Sequence, residues 1–284
     1  MKKVLLSVIL FTIVLALTAC GASDSQEGTD EVKNEGGNQE AVTLVVGASN
    51  VPHAEILEQA VPVLAEKGIE LEIVTFQDYV LPNTALAEKE LDANYFQHIP
   101  YLESQLADHG YDFVNAGGIH IEPIGVYSQN YESLADLPEG AQLIMSNSVA
   151  DHGRFLSLLQ TEGLITLKEG IDTTKATIED IAENPRNIEF IADIEAGLLP
   201  QVYNNGEGDA VLINTNYAID AGLNPVEDAI ALEGSESPYV NIITVRSGDE
   251  TREEIQTLVE ILRSEDIQNF ILEEYNNSVV PVSE

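Results

Sequence analysis

The chain of 284 residues has a single cysteine, Cys20, and only 12 lysines and arginines against 49 aspartates and glutamates. A lone cysteine excludes an internal disulfide. Stability must therefore come from a packed core, which a 44% hydrophobic content can supply. The formal charge of −37 excludes nucleic acid and anionic headgroups as natural partners, because a surface of that sign repels both. The apolar run over residues 4–17 is too short for a membrane-spanning helix, which needs about 20 apolar residues. Several chemical signatures are also missing. No glycine-rich phosphate loop follows a strand, no G-x-S-x-G elbow is present, and there is no H-x-x-x-H or cysteine pair to hold a metal. No repeat of fixed period runs through the chain.

What the N-terminus does contain is a leader. Lys2 and Lys3 precede the apolar run, which is interrupted only by Ser7 and Thr12 and stops at Thr18 and Ala19, directly before Cys20. Residues 1–19 thus read as a signal peptide. The stretch Leu17-Thr18-Ala19-Cys20-Gly21 resembles the lipobox of bacterial lipoproteins, which implies cleavage before Cys20 and diacylglyceryl and acyl chains on that residue. Two acyl chains anchor a protein on a membrane where one does so only marginally. Residues 20–41 are Gly, Ser, Asp, Glu and Asn with almost nothing to bury, and are expected to form a disordered acidic tether. The expected location is the extracytoplasmic face of the cell membrane.

From residue 42 onward, short β-branched runs alternate with segments of helical periodicity. Strands are predicted over 42–47, 71–76 and 92–96, with helices over 55–67, 85–90 and 100–109. A second series predicts strands over 142–145, 189–191 and 210–213, with helices over 153–161, 177–183 and 216–221. Two helices over 252–263 and 265–275 close the chain. This rhythm implies α/β architecture with parallel sheets covered by helices on both faces. The extended runs 121–127 and 239–246 read as crossovers between two lobes, the first comprising 42–126 plus 239–284 and the second 127–238. The cleft between them is the default ligand site.

Several polar and aromatic clusters fall at the predicted carboxyl ends of strands. They include Val51-Pro52-His53-Ala54-Glu55, Gln77-Asp78-Tyr79-Val80 and Asn94-Tyr95-Phe96-Gln97-His98-Ile99-Pro100-Tyr101. The strings VPHAEIL, LEIVTFQDYVLPNTALAEKELDANYFQHIPYL, HIEPIGVYS, INTNYA and ESPYVNIITVR resemble the methionine-binding lipoprotein family, the extracytoplasmic receptors of methionine-uptake ABC importers. The resemblance covers nearly the whole chain after the tether, in order. It implies a two-lobed periplasmic-binding-protein-like fold, no cofactor, no catalysis, and a membrane permease with its ATPase as partners of a protein expected to be monomeric.

A receptor for a free amino acid must pair a carboxylate, offer acceptors to an ammonium and bury a side chain. Arg154 is the natural carboxylate partner, since an arginine fork matches that group, and the resemblance assigns it the ligand-binding role. The other four arginines, Arg186, Arg246, Arg252 and Arg263, sit in surface or strand-end contexts. Asn147 and Asn214 follow strand ends, where an amide can reach either ligand terminus, and the resemblance implies a polar contact for both. Asn216 reads as a helix cap, and Asn241 as a ligand contact or a hinge bond. Tyr79, Phe96, His98, Tyr101 and Tyr127 are candidates for a ring-lined pocket that suits a polarizable thioether. His120 and His53 read equally as ligand contacts or as buried, satisfied histidines.

One loop departs from the family pattern. Where its members commonly read Asn-Asp-Pro-Thr-Asn-x-Gly-Arg, this chain reads Asn147-Ser148-Val149-Ala150-Asp151-His152-Gly153-Arg154. Asp151 would bring a carboxylate near the ammonium, which leaves the ligand open among methionine, other amino acids and short peptides. The competing readings are a receptor of the same fold for another amino acid or a chemosensory ligand, a hydrolase using Ser148, Asp151 and His152, and a metal receptor using His53, His98 and His120. Catalytic triads rarely assemble within one short loop, and an arginine in the cleft opposes a cation.

Overall fold

A computed structural model describes residues 41–282. The leader, Cys20 and all but the last residue of the expected tether lie outside the described residues. The chain runs through β1 (Val42–Ser49), α1 (Glu55–Glu66), β2 (Ile69–Phe76), α2 (Leu81–Ala87), β3 (Ala93–His98), α3 (Ile99–His109) and β4 (Phe113–Ile121). It continues through β5 (Gly125–Tyr127), β6 (Gln142–Ser146), α4 (Val149–Thr161), β7 (Thr166–Leu167), β8 (Ile181–Glu183), β9 (Glu189–Ile194), α5 (Leu199–Asn204), β10 (Ala210–Ile213), α6 (Thr215–Asp220), α7 (Pro225–Asp228) and β11 (Ala231–Leu232). It ends in β12 (Val240–Arg246), α8 (Glu253–Leu262), α9 (Glu265–Glu274) and β13 (Val280–Pro281).

Two sheets organise these elements into two lobes, one ordered β13-β4-β12-β3-β1-β2 and the other β11-β5-β10-β6-β9. Alternation along β1 shows why helices cover both faces of the first sheet. Leu44, Val46 and Ala48 face a core built with α1, α8 and α9, while Val45 packs on the opposite side with residues of α2 and α3. In the second lobe α4 packs against Leu143, Met145 and Leu212, and α5 and α6 against Ile144, Val211 and Ile213.

Both sheets are mixed rather than parallel. β1 is parallel to β2 and β3, but β12 returns from the second lobe and inserts antiparallel between β3 and β4. In the second sheet β5 runs antiparallel to β10, whereas β6 is parallel to both β10 and β9. Of the runs expected as crossovers, 240–246 is a strand of the first sheet, whereas 121–127 holds the inter-sheet connection followed by β5. The chain passes between sheets in the shorter segments 122–124 and 233–239, and Gly125 and Val126, assigned to the first lobe from sequence, pair with the second sheet.

Two further differences have local causes. The helix expected over 177–183 is a single turn closed by a capping box, in which the Asp180 side chain accepts from the Thr177 amide at 3.0 Å, and the chain then extends into β8. β4 was not expected because Gly117 and Gly118 interrupt its pattern. Its geometry demands glycine, since a Cβ at Gly117 would lie 2.5 Å from Val259 on α8.

Candidate ligand-binding site

A small cavity lies between the lobes. The first lobe contributes Tyr79, Phe96, Gln97, His98, Tyr101 and Asn241. The second contributes Asp151, Arg154, Asn214, Thr215 and Asn216, and Glu122 joins them from the connecting segment.

The first wall is built at the carboxyl end of β3, a strand whose six residues are all buried. Gln97 anchors it, donating to Asn83 Oδ1, Asn94 Oδ1 and Thr244 Oγ1 at 2.8, 2.9 and 3.2 Å. At the strand end His98 caps α3 by accepting from the Tyr101 amide through Nδ1 at 3.1 Å. A backbone amide only donates, so Nδ1 carries no proton and the hydrogen sits on Nε2. That Nε2 lies 3.0 Å from Asp151 Oδ1 across the cleft. Tyr79, Phe96 and Tyr101 form an aromatic cluster with ring centroids about 6 Å apart. Tyr79 also reaches the second lobe, donating to Asn216 Oδ1 at 2.6 Å.

The second wall is the first turns of α4 and α6. α4 begins four residues earlier than the sequence pattern indicated, which places Asp151 and Arg154 three residues apart on its buried face, 1% and 4% exposed. Gly153 between them is dictated by close approach, because a Cβ there would meet the Thr173 carbonyl oxygen at 2.2 Å. Arg154 donates through Nε to Glu233 Oε2 at 3.1 Å, through Nη2 to the same carboxylate, and through Nη2 to the Glu122 carbonyl at 2.6 Å. Its guanidinium lies 4.6 Å above the Tyr239 ring. Among the described residues Nη1 has no hydrogen-bond partner. Burial alone would raise the Asp151 pKa, but the His98 hydrogen bond, the Arg154 charge and the Asn214 hydrogen bond outweigh it and hold the carboxyl below its ordinary value.

Asn214 occupies the N-cap position of α6 yet makes no side-chain cap bond; its Nδ2 donates instead to Asp151 Oδ2 at 3.3 Å. Asn216, expected to be the cap, lies inside the first turn, where its amide donates to Glu122 Oε2 at 3.1 Å. Glu122 is the hub between the lobes. Its Oε1 accepts from His120 Nε2 at 2.7 Å and lies 3.3 Å from His53 Nε2, which also meets Asn241 Oδ1 at 3.1 Å. Burial opposes ionisation of Glu122, but the two histidines and Arg154 hold its pKa below the ordinary value. For His53 burial dominates and lowers its pKa to about 4.

Seven of the ten expected contact residues line this cavity: Tyr79, Phe96, His98, Tyr101, Arg154, Asn214 and Asn241. The remaining three lie elsewhere. Asn147 lines a wider outer groove with Ser148, because β6 has already ended at Ser146. His120 is held behind the wall by Tyr95 and Glu122, and Tyr127 is packed in the second-lobe core against Tyr203. The hydrolase grouping does not assemble. Asp151 faces His98 and Asn214, His152 Nε2 binds the Ser146 carbonyl at 2.9 Å, and Ser148 Oγ has no partner among the described residues. Of the three histidines weighed as metal ligands, His53 and His120 converge on Glu122, with ligand atoms within 4.8 Å of one another, whereas His98 faces Asp151. The hydrogen bonds to Glu122 and Asn241 already engage both Nε2 atoms.

Gln97 and Glu122 were not singled out from sequence, although both stand inside the strings that carried the resemblance. Glu233 had no such signal, since it lies in an irregular segment and reaches Arg154 only through the fold.

The NlpA lipoprotein family model matches residues 44–283. The chain belongs to that family. Among its relatives is the methionine-binding lipoprotein MetQ of Bacillus subtilis, 47% identical over the full length of both chains. A nutrient-binding protein from Burkholderia cenocepacia, solved bound to methionine, is 43% identical over 84% of this chain and 99% of its own, with a TM-score of 0.78. An ABC transporter periplasmic substrate-binding protein from Coxiella burnetii is 36% identical over 84% of this chain and all of its own, with a TM-score of 0.79. This NlpA-family chain therefore shares the two-lobed substrate-binding fold of its solved relatives.

Proposed function

We propose that this protein is the membrane-tethered substrate-binding subunit of an ABC importer and that it takes methionine, or a closely related amino acid or short peptide, into the cavity between its lobes. The observation that carries the proposal is one buried helix turn, α4, presenting Arg154 and Asp151 to a cavity whose facing wall is aromatic. That arrangement complements a zwitterion with an apolar side chain. Arg154 Nη1 is the donor left for the ligand carboxylate, while Glu233 holds the other two guanidinium nitrogens in place. Tyr79, Phe96 and Tyr101 supply the ring surfaces against which a thioether packs. The name of the Bacillus subtilis relative and the methionine-bound Burkholderia cenocepacia structure support the same ligand.

A binding role accounts for the residues that line the cavity. The lobes close on ligand by bending at 122–124 and 233–239, and a permease with its ATPase receives the closed form. Lipid on Cys20 holds the receptor on the extracytoplasmic face, within reach of that permease. Calorimetric titration of the full-length protein with L-methionine, D-methionine, other amino acids and Gly-Met tests the reading. A Kd below about 100 μM, equivalent to roughly −5.5 kcal/mol, is expected for at least one methionine ligand. Failure of all of them to bind at that level would refute the assignment.

A further inference from the structure

We infer that Asp151 makes the cavity selective for a positively charged α-ammonium, and that it does so by fixing the orientation of the Asn214 amide. This inference rests on the amino-acid reading above and adds which chemical group at the α-carbon the protein demands.

Asn214 is 6% exposed and lines the cavity, and its two amide ends are not equivalent. Nδ2 donates to Asp151 Oδ2 at 3.3 Å, while Oδ1 is buried and, among the described residues, accepts no hydrogen bond. An ionised carboxylate can only accept, so Asp151 compels Asn214 to turn its NH2 toward it and leaves the carbonyl oxygen for something else. A buried acceptor without a partner is unfavourable, and a donor on the ligand would remove that cost. The other oxygen of Asp151 faces His98 Nε2, and His98 Nδ1 is engaged as an acceptor by the Tyr101 amide. His98 in that state is the neutral tautomer and does not cancel the Asp151 charge. Arg154, the nearest cation on the same helix, is already paired with Glu233.

The result is a patch with one net negative charge and one free acceptor, three residues along α4 from the arginine. An ammonium, with three hydrogens and a positive charge, satisfies both features. A hydroxyl brings one hydrogen and no charge, and an N-acyl group brings one hydrogen and added bulk. Asparagine at 151 would remove the charge and could present either its NH2 or its oxygen to Asn214, so the Asn214 carbonyl would no longer be held toward the ligand.

The test compares L-methionine with its α-hydroxy analogue, in which a hydroxyl replaces the ammonium, and with N-acetyl-L-methionine. Calorimetry is run on the full-length protein and on Asp151→Asn. The unsubstituted protein is expected to prefer methionine to the hydroxy analogue by about a hundredfold or more. In Asp151→Asn that preference is expected to shrink below about tenfold, chiefly through weaker methionine binding, while affinity for the hydroxy analogue is maintained. Retention of the original ratio by Asp151→Asn would overturn the inference while leaving the amino-acid reading standing. Failure of the unsubstituted protein to bind methionine would remove both. Should Asp151→Asn not fold, Asp151→Glu keeps an acceptor-only group, and loss of the preference in that folded variant would likewise overturn the inference.

Discussion

The two walls of the cavity differ in how they are made. The first-lobe wall stands at the end of a fully buried strand, is locked from behind by the Asn83, Asn94 and Gln97 amides, and presents mainly rings. The second-lobe wall stands on the first turns of two helices and presents charge and amides: Asp151, Arg154, Asn214 and Asn216. The contrast divides recognition between the lobes. On the proposed reading the first grips the apolar side chain and the second reads the charged ends, and Glu122 with its two histidines ties the walls together.

Arg154→Ala should break the second wall most severely. Loss of the carboxylate partner is expected to weaken methionine binding at least about a hundredfold, read by calorimetry. Because Glu233 is then left without its cation, denaturant unfolding should also show a loss of about 3 kcal/mol. Unchanged affinity would mean that the charged end of the ligand is held elsewhere.

Acid should act behind the first wall. His53 binds a proton more readily unfolded than folded, because burial lowers its folded pKa to about 4. Its contribution is fully present above its ordinary value of 6.5 and is lost as pH falls toward 4, at up to about 1.4 kcal/mol per pH unit. Unfolding followed from pH 7 to 4.5 should show this decline, and His53→Gln should flatten it. An identical slope in that variant would place the acid sensitivity in other groups.

Phe96→Ala removes a ring from the first wall. Affinity for methionine is expected to fall about tenfold while the preference for an ammonium over a hydroxyl persists, since that preference belongs to the other wall. Loss of the ammonium preference in this variant would blur the division between the walls. The smallest effect is expected at Tyr127, whose hydroxyl is buried without a partner in the second-lobe core. Tyr127→Phe should leave methionine affinity unchanged and raise stability by up to about 1 kcal/mol.

The first wall was largely legible in the sequence, because the run from Asn94 to Tyr101 places a buried strand, a helix cap and aromatic residues in one contiguous stretch. Asn214 was legible because it follows a recognisable strand end, and Arg154 because its fork suits a carboxylate and the resemblance assigned it that role. The rest depended on long-range geometry. Glu233 meets Arg154 across 79 positions of sequence, Asp151 meets His98 across 53, and no periodicity encodes either approach. Tyr127 misled because an aromatic beside a crossover looks the same from sequence whether it faces the cleft or the core. The mixed sheets were hidden similarly, since an extended β-branched run such as residues 239–246 does not reveal whether it links two sheets or inserts antiparallel into one.

The most direct test of the division between the walls is a crystal structure with L-selenomethionine, located by the anomalous signal of selenium. The selenium is expected about 5 Å from the rings of Tyr79, Phe96 and Tyr101, with the carboxylate at Arg154 and the ammonium between Asp151 and Asn214. Selenium on the α4 side, with the charged ends against the aromatic wall, would contradict it.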